Sequence, residues 1–355
     1  MAVTIRDVAR EARVSVASVS RALNGHANVT EQTRARIVGI AERLRYVPHG
    51  AARSLITRRT QTIGALLPEL YGEFFSELIR GIDIAARASG LHLLVSSSHG
   101  DASEAANALR AMQGRVDGML ILSPHVDAAF LHANLVETTP AVLLNSPIQR
   151  GPYTVFNVDN FGGARAMVRH MLNIGHRDIA LIAGPPDNFD AQQRELGYRA
   201  AMAEADRQAS LVILPGDFTE AAGYRAGRDL LARGTRPNAV FAANDMMAVG
   251  CLKAFAEGGI SVPDDIALAG FDDIPIARYV HPALTTVHVR IADLGRIALT
   301  RLVAAIERPD ALLSREETLD CQIVVRGSCG ADIKKSSASQ KYKPTIQQVY
   351  SGGDS

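Results

Sequence analysis

The first sixty residues of this 355-residue chain contain no lysine, although they carry eleven arginines and only four acidic side chains. Other absences narrow its chemistry. No G-x-G-x-x-G follows a strand-like run and no G-x-x-x-x-G-K-[ST] occurs, so dinucleotide and P-loop chemistry have no support. H-E-x-x-H and G-x-S-x-G are missing too, and no acid/base pair stands at an informative spacing. The three cysteines, Cys251, Cys321 and Cys329, are odd in number and lack metal-ligand spacing. They suit free thiols in a reducing cytosol, and neither a metal nor a cofactor is expected. No apolar run reaches the roughly 20 residues of a membrane span, and the N-terminus has no signal-peptide apolar region. A cytoplasmic chain is expected.

What is present divides in two. The first sixty residues carry a net charge of +7 against +1 for the whole chain, so the remainder is mildly acidic. A basic N-terminal module on an acidic body points to a polyanion contact at the front. Thr4 followed three residues later by Asp7 is a capping-box start, and Ile5, Val8, Ala9 and Ala12 repeat on one helical face. Ser15 is a second cap, with Arg13 and Val14 leaving room only for a tight turn. The next helix buries Val19 and Leu23 and leaves Val16, Ala17, Ser20 and Arg21 outward, ending at Asn24-Gly25. Thr30 caps a third helix with Ile37, Ile40, Ala41 and Leu44 on its inner stripe.

A helix of small outward residues with one arginine fits the major groove of duplex DNA. Its small side chains permit close backbone approach. Ser15, Ser18 and Ser20 can donate to phosphates, and Arg21 can contact a guanine edge through two nitrogens.

The run from Thr4 through Asn24 closely resembles the DNA-binding headpiece of the lactose-repressor/galactose-repressor (LacI-type) family of bacterial transcription regulators. The match continues through Val29-Thr30, Arg34, Leu44 to Pro48 and Ala52-Arg53-Ser54-Leu55. The resemblance implies that the segment after Pro48 folds on the operator as a hinge helix, with Ala52 and Leu55 at the DNA and Leu55 wedged into a minor-groove base step. His49-Gly50-Ala51 departs from the family pattern. Gly50 lowers helix propensity by up to about 1 kcal/mol, which makes hinge folding more dependent on DNA.

From Thr62 the chain alternates apolar strand-like runs with amphipathic helical stretches. Strands are expected at 63–67, 91–96, 118–122, 141–144, 179–182, 211–214, 239–242 and 266–270. Helices are expected at 74–89, 103–113, 161–174, 192–205, 221–232 and 246–257. Runs that are apolar throughout indicate parallel sheets covered on both faces. Nearly 270 residues exceed one core, so two doubly wound lobes with a ligand in the cleft between them are expected. The expected fold class is therefore α/β: a helix-turn-helix headpiece (1–47), a hinge (48–60), a two-lobed effector and dimerisation domain resembling periplasmic binding proteins (61–330), and an unstructured tail (331–355).

The family resemblance extends through this body in Phe74-Phe75 with Gly81, Gly175-His176-Arg177, Ala243-Asn244-Asp245, Gly270-Phe271-Asp272-Asp273 and 282–287. It implies that Arg194, Asn244 and Asp272 hydrogen-bond a sugar ring and that Phe218 stacks on its apolar face. Phe75, Asn145, Asp159 and Asp190 join them as further candidates. An arginine fork and a carboxylate can each bridge vicinal hydroxyls. In Asn244-Asp245 one member is expected to cap a helix, and His176 to serve a turn. The partners implied are a pseudo-palindromic operator, a small effector and a second copy of the chain; no leucine heptad argues for a tetramer. Three alternatives stand beside a sugar-responsive repressor: a regulator with a purine-like corepressor, a transporter's solute-binding protein, and a sugar-acting α/β protein.

Overall fold

The computed structural model describes residues 3–23, 28–46, 59–122, 127–136, 138–148, 153–208, 211–234, 236–308 and 316–331. Its contacts divide the chain into two units, 1–62 with 114–117, and 63–113 with 118–355. The hinge residues Ala52 and Leu55, the helix stop at Asn24 and the tail from 332 lie outside the described residues.

The first unit contains helices α1 (Ile5–Ala12), α2 (Val16–Leu23) and α3 (Glu31–Arg43). Its core is Val8, Ala9, Ala12, Val19, Ala22, Ile37 and Ala41, drawn from all three helices. Leu23, expected inside, packs at the edge of this core, and Ala22 takes the buried position. Asp7 accepts from both the Thr4 amide (2.9 Å) and the Thr4 hydroxyl (2.7 Å), which fixes the start of α1. The turn to α2 runs through Arg13 at φ 52°, in the left-handed region. Arg34 Nη1 donates to the Ala22 carbonyl at 2.9 Å and so ties α3 to the exposed end of α2.

The second unit is built on two six-stranded sheets. The first takes strands β1 (Thr62–Leu67), β2 (His92–Ser97), β3 (Gly118–Leu122), β4 (Ala141–Leu144), β5 (Thr154–Val158) and β11 (Glu316–Leu319), in the order β11-β5-β4-β3-β1-β2. The second takes β6 (Ile179–Ile182), β7 (Val212–Leu214), β8 (Ala239–Ala242), β9 (Ala267–Asp272), β10 (Thr285–His288) and β12 (Gln322–Val324), in the order β12-β10-β9-β8-β6-β7. The registered pairs are parallel except β10 with β12, where a three-residue edge strand runs antiparallel.

Helices α4 (Glu73–Ala88), α5 (Ala102–Met112), α6 (Ala128–Asn134), α7 (Asn160–Asn173), α8 (Phe189–Glu204), α9 (Glu220–Leu231), α10 (Asp245–Glu257) and α11 (Ile291–Glu307) complete the unit. Four strands (β5, β10, β11 and β12) and two helices (α6 and α11) go beyond the elements read from the sequence. The chain passes between lobes three times, at 158–160, 288–291 and 319–322: α7 packs on α8, whereas α11 returns to α4 and the β3–β4 face. These crossings place the ends of β1, β4, β7 and β9 around one cleft. Sequence periodicity cannot reveal them, because returning elements look locally like any others.

Candidate DNA-binding and effector sites

In the first unit the outward face of α2 carries the polar groups expected of a groove reader. Val16 is 42% exposed, and Ala17 and Arg21 are exposed as well. Arg21 has no hydrogen bond or ion pair among the described residues, so its guanidinium points outward uncommitted. The serines divide. Ser15 caps α2 by accepting from the Ser18 amide at 3.1 Å, and the two hydroxyls lie 2.9 Å apart. Ser20, half-buried, borders the exposed face. Thr4 is exposed and engaged with Asp7.

The cleft is organised around Arg194, which is 4% exposed. Its Nε donates to Asn160 Oδ1 at 2.8 Å and its Nη1 to the Ala243 carbonyl at 2.6 Å. Its Nη2 lies 3.0 Å from Asp272 Oδ1 in an ion pair, and that buried oxygen meets no other donor. Phe271 lies flat beneath the guanidinium, 3.8 Å from Cζ to ring centroid, and Phe218 stands at 5.7 Å.

Asp190 is gripped from two sides. Asn145 Nδ2 and Asn160 Nδ2 each donate to it at 2.9 Å. Asn145 follows β4 in the first lobe and Asp190 lies on α8 in the second, so this bond crosses the cleft. Burial pushes the Asp272 carboxyl up to about 6; Arg194 opposes the shift and Asp190 adds to it. Burial also raises Asp190 to about 6, against Arg194 and its two asparagine donors. Asp190 is half-buried as a residue, whereas Asp272 is 4% exposed.

Beneath them Asp245 is fully buried. It accepts from Thr286 Oγ1 at 2.6 Å and from the Ile274 amide at 3.0 Å. Burial first, then the neighbouring Asp272 charge, holds its carboxyl well above the ordinary range. Gly270 makes room for it, since a Cβ there would fall 2.2 Å from Asp245 Oδ1. Gly184 likewise clears space for the Phe218 ring, which a Cβ would meet at 2.5 Å.

The backbone marks the same region. Asn145 (φ 45°), Phe218 (φ 68°), Asp272 (φ 112°) and Asp273 (φ 55°) all adopt positive φ without being glycine. Residues held in such conformations gather where a ligand or a switch needs them.

Other candidates have structural work of their own. Asn244 caps α10 by accepting from the Met247 amide, and donates to the Phe218 carbonyl, both at 2.9 Å. It is therefore the capping member of the Asn244-Asp245 pair, and it orients Phe218. Asp159 caps α7 through the Gly162 amide at 2.8 Å. Phe75 packs on the core and edge-on against Phe74, with ring centroids 5.4 Å apart. His176 was expected to serve a turn; its Nε2 lies 2.9 Å from the Cys329 carbonyl, a long-range contact that ties the loop after α7 to the chain at 329.

Asn160, the residue that bridges Arg194 and Asp190, was not among the sequence candidates; its signal is the Asp-Asn pair where β5 meets α7. Asp245 with Thr286 is a second omission, hidden because the two are joined only by the fold. A separate open cavity of about 520 Å³ is lined by Glu77, Arg80, Asp273, Arg278, His288 and Arg290, among others. Arg80 pairs with Glu77, and Asp273 with His288 and Arg326, so those charges are largely settled within the protein.

Comparison with known proteins matches residues 4–49 to a model described as bacterial regulatory proteins of the lacI family, and residues 168–329 to a periplasmic binding protein-like domain. The ribose operon repressor of Escherichia coli K12 is 35% identical over 313 residues, 86% of this chain and 94% of the relative. The transcriptional repressor PurR of Erwinia tasmaniensis is 36% identical over 309 residues, 85% of this chain and 90% of the relative. A lac repressor dimer bound to operator and an anti-inducer superposes with a TM-score of 0.84 at 27% identity, covering 93% of this chain and all of that one. With a basic trihelical unit ahead of a two-lobed α/β unit, the chain belongs to the lacI family of bacterial regulatory proteins, DNA-binding repressors governed by small-molecule effectors.

Proposed function

We propose that this protein represses transcription as a cytoplasmic, nucleoid-associated homodimer and is released from its operator by a neutral sugar, D-ribose being the first candidate. In this reading the headpiece (1–47) enters the major groove through Val16, Ala17, Ser20 and Arg21, with Thr4, Ser15, Ser18 and Asn24 at its border. Residues 48–60 form the hinge, with Ala52 and Leu55 in the minor groove, and residues 61–330 bind the effector and the second copy. No chemical step is assigned to the cleft; it binds without catalysis.

The observation that carries the sugar reading is the distribution of free hydrogen-bonding capacity. Each side-chain nitrogen of Arg194, Asn145, Asn160 and Asn244 already has a protein partner, whereas the buried Asp272 Oδ1 has only its ion pair with Arg194 and accepts from no other donor. Such a cleft wants hydroxyl donors. One guanidinium faces the two carboxylates of Asp190 and Asp272, so a phosphate would enter a site without spare positive charge. The ribose repressor relative supplies the choice of pentose.

A thermal-shift series with D-ribose, ribose 5-phosphate, hypoxanthine and guanine tests this. A ligand at 100 times its Kd adds about 2.7 kcal/mol of stability. D-ribose should shift the transition and ribose 5-phosphate should not; a response to a purine alone would replace the sugar with a corepressor. For the hinge, Leu55→Ala should reduce operator bending and operator affinity while sparing non-specific DNA.

A further inference from the structure

Among the described residues, two buried side-chain oxygens accept no hydrogen bond: Asp272 Oδ1 and Glu220 Oε2. The first belongs to the cluster around Arg194. The second stands at the opening of α9, two residues after Phe218. Its other oxygen, Oε1, accepts from the Tyr71 hydroxyl. Tyr71 follows β1 in the first lobe, whereas Glu220 follows β7 in the second, so this pair bridges the lobes at the carboxyl ends of two strands. That edge is where parallel α/β sheets receive ligands.

Glu220 is held firmly in place. Thr219 caps α9 through the Ala222 amide at 3.2 Å, and Asp217 Oδ1 accepts from the Thr219 amide at 2.9 Å. The first turn of α9 lies flush on α10, since a Cβ on Gly250 would fall 1.9 Å from the Glu220 carbonyl. Besides the Asn145–Asp190 bond, a further inter-lobe bond, from the Ile276 amide to Glu73 Oε2 at 3.0 Å, joins the lobes. The carboxylate thus has a fixed backbone, one oxygen anchored from the opposite lobe and one oxygen enclosed without a donor. An ionised carboxylate oxygen is an acceptor only, so what completes it must donate.

We infer that Glu220 is an effector-contacting, specificity-determining residue whose Oε2 accepts a hydroxyl of a polyhydroxylated effector, while Tyr71 holds the carboxylate from the other lobe. This rests on the reading of the cleft as a sugar site. Because the Tyr71 bond forms only when the lobes are together, the contact also favours the closed, loaded form over an open one.

The test uses the full-length protein and calorimetric titration with D-ribose, D-arabinose, D-xylose and 2-deoxy- and 3-deoxy-D-ribose. Glu220→Gln preserves volume and an acceptor for Tyr71 but puts an amide donor where Oε2 stood. It should weaken D-ribose by about tenfold, and weaken much less the deoxy sugar that lacks the contacted hydroxyl. Tyr71→Phe should produce a smaller loss with the same sugar pattern. Unchanged binding of every sugar by Glu220→Gln would overturn the assignment. So would an equal loss for all of them, because Glu220 would then act on lobe closure alone. A wild type that binds no sugar in the series would instead remove the sugar reading, and this assignment with it, before any variant is measured.

Discussion

The headpiece and the cleft hold their polar groups in opposite ways. On α2 the arginine expected to read a base is exposed and uncommitted, and only small residues surround it. In the cleft the central arginine is buried and every one of its nitrogens is engaged with the protein. A surface for a long polyanion needs free, solvated donors that exchange water and counterions for phosphates. A pocket for a small neutral ligand needs its own dipoles fixed in advance, so that little ordering remains to be done on binding. The same side chain therefore does two kinds of work, and substitution should expose the difference.

The largest effect is expected at Arg194. Replacing it with Ala leaves Asp272 and Asp190 in the cleft without their cation, and breaking a buried pair from one side costs about 3–5 kcal/mol. Urea unfolding of Arg194→Ala at neutral pH should show that loss, and a change below about 1 kcal/mol would mean the arginine is not the organising charge.

Asp272 gives the next effect, and it depends on pH. Its carboxyl is raised to about 6 in the folded protein from an ordinary 3.8. Between those values the folded form holds a proton that the unfolded chain has released. This group's contribution to stability is thus present below about pH 4 and lost as pH rises through 6. The upper bound on the change is about 3 kcal/mol. Asp272→Asn should remove that part of the pH dependence, so wild-type and variant stabilities should diverge between pH 4 and 7. Parallel profiles would show that the carboxyl is not desolvated.

Arg21→Ala sharpens the other side of the comparison. It should leave unfolding almost untouched, weaken specific operator binding by about 1–3 kcal/mol and relax preference at one symmetric base position. A fluorescence-anisotropy titration against operator and scrambled DNA decides it; equal losses on both DNAs would make Arg21 a phosphate contact. The smallest effect is expected at Thr286→Val, which deletes the 2.6 Å hydrogen bond to Asp245. About 1 kcal/mol of stability should go, together with a modest loss of effector affinity through the floor of the site.

This contrast also explains what the sequence could tell. Charge, caps and helical periodicity are local, so the headpiece was legible almost residue by residue, down to the Thr4–Asp7 box and the outward face of Val16, Ala17 and Arg21. Leu23 and Ala22 exchanged burial because a one-residue shift on a short helix is decided by the partner helices. In the body, apolar runs announced the central strands within a residue or two. Short edge strands such as β11 and β12, and the return of α11 to the first lobe, carry no local signature. At the cleft, the family resemblance named Arg194 and Asp272, and the fold brings the two side chains to 3.0 Å. Asn160 was not named, because its meaning comes from the Arg194 and Asp190 side chains that stand opposite it. The cap expected within the Asn244-Asp245 pair falls to Asn244, and Asp159, named only as an effector candidate, also caps a helix.

The central claim is that ligand in the cleft and operator at the headpiece are energetically coupled, each altering affinity for the other by the same factor. The most direct measurement is operator affinity at fixed salt with and without saturating D-ribose, in wild type and in Asp272→Ala. The account predicts that ribose weakens operator binding by the wild type, and that Asp272→Ala binds operator normally whether or not ribose is present. Operator affinity in the wild type that is indifferent to ribose, or that rises with it, would contradict the account.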